Sequence, residues 1–161
     1  MTKRIIWLTD LHLNFITWSE LDTFCRDLLS PVPDLILIGG DISDSRSLMA
    51  DLSILEEKLQ TPLYFVLGNH DFYHSSITEV RKQVAELTRK SSHLHWLPQE
   101  GVVELTESVA LLGHDSWADG RFGDYANSTL ELNDYVLIRE FIGLNRGDRL
   151  RLLQKLGDEA A

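Results

Sequence analysis

Three polar clusters recur along the first half of the sequence: Asp10-Leu11-His12, Gly39-Gly40-Asp41 and Gly68-Asn69-His70-Asp71. Carboxylate, imidazole and carboxamide groups together suit hard or borderline divalent ions such as Mn, Fe, Zn or Co. An aspartate and a histidine separated by a single intervening residue present both side chains on one side of an extended chain, so Asp10 and His12 can share an ion. One carboxylate can bridge two ions roughly 3.5–4 Å apart, and Asp41 is the natural candidate. The glycines at 39, 40 and 68 let the backbone turn sharply beneath such a centre. Each cluster alone reads as a turn or a helix cap. Their joint recurrence is what points to a metal site.

The elements needed to gather these residues can be read from hydrophobic periodicity. Each cluster follows a short apolar run, at residues 5–9, 35–38 and 63–67. The first of these reads as a strand buried on both faces. Helical stripes lie between and after them: Trp18, Leu21, Phe24, Cys25 and Leu28; Leu48, Leu52, Leu55 and Leu59; Ile77, Val80, Val84 and Leu87. Pro31 and Pro33 stop the first helix. His12 and Asp41 are 29 residues apart, and Asp41 and Asn69 are 28 apart. A strand–helix–strand unit takes about 30 residues, so each cluster falls at the same point of successive units. In a parallel sheet that point is the carboxyl end of a strand, where open α/β sheets place their sites.

Beyond residue 90, the segments 94–97, 102–105 and 109–112 read as short strands and 113–128 as a loop. Residues 131–142 and 148–157 read as helical, the latter with Asp148 as a cap. Phe72 and Tyr73 read as pocket wall or as packing for the third helix. Of the remaining histidines, His74 reads as a loop residue near the site and His93-Leu94-His95 as a solvent-facing strand start. His114 is a lesser ligand candidate. Arg121 reads as a surface ion pair in preference to a phosphate contact.

The 161 residues suit a single domain spanning 1–161, and 43% hydrophobic with 25% charged residues is a globular composition. One cysteine cannot form an internal disulfide, and Cys25 reads as a small buried apolar residue on a helix. The formal net charge of −10 disfavours broad binding to nucleic acid but leaves room for a small phosphorylated substrate at a metal centre. The N-terminal apolar run is too short for a signal peptide, and no stretch matches a membrane span. The expectation is a soluble, cytoplasmic protein without membrane association. A nucleotide-binding reading lacks a G-x-G-x-x-G or G-x-x-x-x-G-K-[ST] motif, and a serine hydrolase lacks its G-x-S-x-G elbow.

Asp10-x-His12, Gly40-Asp41 and Gly68-Asn69-His70-Asp71 resemble the first three motifs of the calcineurin-like metallophosphoesterases. The resemblance implies an α/β fold, a four-layered α/β/β/α sandwich. It also implies that Asp10, His12 and Asp41 hold a first metal, and that Asp41 and Asn69 help hold a second. His70 would act beside the leaving group as general acid or electrostatic stabiliser, with Asp71 orienting its imidazole. The family pattern continues with a His-bearing strand end and a Gly-His-x-His motif, and nothing after His114 supplies these. The expectation is therefore a sandwich incomplete at its C-terminal side, a truncated form of the family domain that self-associates through exposed sheet. Two functions follow from this. One is a metal-dependent phosphoesterase acting on a phosphomonoester or phosphodiester. The other is an inactive remnant or interaction module that keeps part of the metal cup.

Overall fold

The computed structural model describes residues 2–161. Four apolar runs form strands: β1 (Ile5–Leu8), β2 (Leu35–Ile38), β3 (Leu63–Phe65) and β4 (Leu94–Trp96). They pair in chain order as one parallel sheet. The connections carry α1 (Trp18–Leu29), α2 (Leu48–Leu59) and α3 (Ile77–Thr88). Strands laid down in sequence by right-handed crossovers leave all three helices on one face of the sheet. After the one-turn helix α4 (Leu97–Glu100), β5 (Val103–Thr106) and β6 (Val109–Leu111) form a separate antiparallel pair. The chain is thus mixed α/β with a parallel four-stranded sheet, consistent with the metallophosphoesterase fold.

The strand register shows how the faces differ. The rows Ile6–Ile36–Leu63–Leu94 and Leu8–Ile38–Phe65–Trp96 point toward the helices and pack with Leu21, Cys25, Leu52, Leu55, Val80 and Val84. A fully buried leucine such as Leu52 contributes about 2 kcal/mol of burial. The row between them, Trp7–Leu37–Tyr64–His95, points the other way. Trp7 is 77% exposed, so β1 is not buried on both faces as its apolar run suggested. It lies at the sheet edge, with helices covering one side only.

Local signals set the helix starts. Thr17 and Glu20 form a reciprocal capping box on α1, and the Ser76 side chain accepts the Glu79 N–H at the start of α3. The last helix, α6 (Arg146–Asp158), is capped by Asn145, which accepts N–H groups from Gly147 and Asp148. Asp148 therefore sits in the first turn and is not the cap. The helix expected over 131–142 reduces to one turn, α5 (Asp134–Leu137). Residues 113–128 form a loop, as read from their composition. Buried Asp115 ties this loop to the sheet: its Oδ1 accepts from the Leu67 N–H at 2.7 Å and from Trp96 Nε1 at 3.0 Å. Its Oδ2 lies 3.3 Å from Arg81 Nε. Arg121 pairs with Asp119 and Asp158 on the surface. Among the described residues, no helix is long and apolar enough to cross a membrane.

Candidate metal centre

The segments that leave β1 and β2 run on together past the last paired residues. Gly39 N–H donates to Leu8 O, Asp10 N–H to Gly40 O, His12 N–H to Asp41 O and Leu13 N–H to Ile42 O, at 2.8 to 3.2 Å. These bonds extend the parallel ladder into the loops and hold Asp10 and His12 beside Asp41. The backbone here is not the extended chain suggested by the Asp-x-His spacing. Asp10, His12 and Asp41 have φ of 55°, 45° and 51°, in the left-handed region. Non-glycine residues there are strained, and such strain concentrates at functional sites.

The third cluster is stitched to the second. Asp41 Oδ1 accepts the His70 N–H at 3.1 Å. A Cβ on Gly68 would lie 2.1 Å from that same oxygen, so only glycine allows the approach. Asp71 is fully buried; its Oδ1 accepts from the Ser43 N–H and its Oδ2 from the Gly68 N–H, both at 2.8 Å. Both carboxylate oxygens are thus engaged by backbone. Asp71 thereby fastens two loops together, and among the described residues no hydrogen bond joins its carboxylate to the His70 imidazole. Burial pushes its carboxyl up to about 7, and the nearby Asp41 charge adds to this; the backbone N–H groups pull the other way.

These constraints bring ligand atoms of His12, Asp41 and His70 within 4.8 Å of one another. The His12 and His70 rings meet edge to face, 4.7 Å between centroids. His12 Nδ1 is buried without a hydrogen-bond partner. Asp10 lies exposed at the rim, outside this group, and accepts from the Thr9 hydroxyl. Asn69, half-buried, enters a further set of contacts: its Nδ2 donates to Asp134 Oδ1 at 2.8 Å and to the Tyr73 hydroxyl at 3.2 Å. Tyr73, a candidate pocket wall from sequence, joins this set, whereas nothing in the sequence marks Asp134. His95 is stacked on Tyr64 with its Nδ1 3.3 Å from Glu100, and exposed His74 lies outside the cluster.

A family model described as calcineurin-like phosphoesterase matches residues 3–155. The chain belongs to this family. It is similar to a transmembrane protein with metallophosphoesterase domain from Bos taurus, 36% identical over 81 residues, which cover 47% of this chain and 18% of that protein. It is also similar to an uncharacterized metallophosphoesterase of Helicobacter pylori (strain ATCC 700392 / 26695), 31% identical over 77 residues, 44% of this chain and 20% of that one. The Danio rerio transmembrane protein with metallophosphoesterase domain is 31% identical over 80 residues, 46% of this chain and 18% of its own length. The chain spans about a fifth of the length of these curated relatives. No solved structure matches it.

Metal-dependent phosphoester hydrolysis is the general chemistry of calcineurin-like phosphoesterases, and this member has a His/Asp/His cluster to serve it. The donor set fits an ion. Nitrogen and oxygen donors about 2.0–2.2 Å from a common centre lie about 3–4 Å apart, close to the spacing available here.

Proposed function

We propose that this chain carries a metal-dependent phosphoesterase centre acting on a small phosphorylated substrate, a phosphomonoester or phosphodiester. The convergence of His12, Asp41 and His70 from three separate strand-end loops carries the reading. Asp10, His12 and Asp41 would hold one divalent ion, and Asp41 with Asn69 would help hold a second, with Mn, Fe, Zn and Co suited to this donor set. Bound, the ion supplies Lewis-acid stabilisation of charge on the phosphoryl group. His70, in the same cluster but not counted among those ligands, is the candidate proton donor to the leaving oxygen, a task suited to imidazole. Its backbone is pinned by Asp41 and its ring lies stacked on Tyr73, 4.3 Å between centroids. That leaves the ring little freedom to turn away, and orientation is a large part of such catalysis.

Asp10, exposed and outside the clustered donors, favours a second reading: an inactive remnant or interaction module that keeps part of the cup. One experiment separates the two. The protein is titrated with Mn2+ and assayed on generic phosphomonoesters and phosphodiesters, beside Asp41→Asn. The enzyme reading expects Mn2+ binding and Mn2+-stimulated turnover that falls at least about 100-fold in the variant. No binding and no turnover would establish the remnant.

A further inference from the structure

Asp134 opens α5, in the part of the chain where sequence periodicity was least informative, and is only 4% exposed. Its Oδ1 accepts from Asn69 Nδ2 at 2.8 Å and from the Tyr73 hydroxyl at 2.8 Å. Asn69 Nδ2 also donates to the Tyr73 hydroxyl at 3.2 Å, which closes a three-membered ring of hydrogen bonds. The backbone holds this arrangement from both sides. His74 N–H donates to Leu137 O at 2.8 Å and Arg139 N–H to Ser75 O at 2.9 Å, clipping the 134–139 segment onto the loop that follows Asn69 and His70.

A carboxamide has a donor end and an acceptor end. With Nδ2 committed to Asp134 and Tyr73, Oδ1 is the end left for an ion. A carboxylate enforces this direction because it only accepts: the flipped amide would set oxygen against oxygen. The same acid holds the hydroxyl of Tyr73, whose ring lies against His70 at an interplanar angle of 29°. Asp134 therefore reaches Asn69 and Tyr73 at once.

We propose that Asp134 is the positioning residue of this centre, directing the Asn69 amide oxygen toward the metal and fixing Tyr73 against His70. This rests on the metal-centre reading above. It adds a partner that lies 65 residues from Asn69 along the chain.

The test is Mn2+ titration of the full chain by calorimetry, with thermal unfolding of the metal-free protein run in parallel. Wild type is compared with Asp134→Ala, Asp134→Asn and Tyr73→Phe. Asparagine keeps an oxygen that can accept from both partners, whereas alanine does not. The expected result is Mn2+ affinity weakened about 10-fold or more in Asp134→Ala and within about threefold of wild type in Asp134→Asn. Tyr73→Phe, which keeps the ring but drops one amide partner, is expected to lose about threefold. If Asp134→Ala fails to unfold cooperatively, the Asp134→Asn and Tyr73→Phe results decide. Wild-type affinity in Asp134→Ala, equal weakening in Asp134→Ala and Asp134→Asn, or no loss in Tyr73→Phe would each overturn the proposal. Absence of Mn2+ binding by wild type would instead overturn the metal-centre reading on which it rests.

Discussion

Two buried acids, Asp71 and Asp115, hold strand ends together by accepting backbone N–H groups, and Asp115 has a cation beside it as well. Burial raises the Asp115 carboxyl above its ordinary 3.8, against the pull of the Leu67 N–H, Trp96 and Arg81. The native protein thus keeps this proton to higher pH than the unfolded chain does. Stability from this group is complete below pH 3.8 and is lost as pH rises through the native value. The expected outcome in urea unfolding is that wild type minus Asp115→Asn falls as pH is raised from 3.8 and then levels off. A difference that stays flat or rises over that window contradicts it. His12, Asp41 and His70 come together as residue type and strand-end spacing lead one to expect, whereas Asp10 stands outside that group and Asn69 is tied through its Nδ2 to Asp134 and Tyr73. The bond from the Tyr73 hydroxyl to Asp134 was not legible, because it joins residues 61 apart and no local pattern marks it.

The strand-end turns place the ligands, and their glycines are not equivalent. A Cβ on Gly68 would lie 2.1 Å from Asp41 Oδ1 and 2.6 Å from Asp41 N, so Asp41 or its loop would have to move. A Cβ on Gly39 would meet Thr9 Oγ1 at 3.3 Å, which a small side-chain shift relieves. Gly68→Ala is expected to lower the unfolding midpoint by several degrees, about 1–3 kcal/mol, and to weaken Mn2+ binding at least about 10-fold. Gly39→Ala should change both much less. Equal effects of the two variants in paired thermal melts and metal titrations would sink the argument. The helices themselves were plain in the sequence: α1, α2 and α3 carry apolar stripes of helical period and start or stop at polar caps or prolines. Residues 131–142 misled because apolar residues recur there at helical spacing, yet only Tyr135, Ile138 and Phe141 reach the core. Leu132, Val136 and Ile142 stay exposed, and Gly143 turns the chain at φ 77°.

At the scale of the molecule, the parallel order of the strands followed from the repeat of apolar run, helix and polar cluster. The partial exposure of the sheet's other face did not, because an apolar strand reads the same whether its second face is covered or open. That face presents Trp7, Leu37, Tyr64 and His95 as one row, and Trp7 is the most exposed of them. Beside it, β1 is a free edge with unpaired backbone groups, the kind of strand that pairs with another chain. We propose that a second copy of this chain covers the face. Two copies each carrying −10 repel one another, and salt screens that repulsion while leaving apolar contact intact. Sedimentation velocity should therefore show association that rises with protein concentration and strengthens between about 0.01 and 0.15 M salt. Trp7→Lys, which adds a charge at the exposed edge of the patch, should weaken the association at least about 10-fold without lowering the unfolding midpoint. A wild-type monomer at every concentration and salt would refute the self-association, and a variant that associates as wild type does would move the interface off this face.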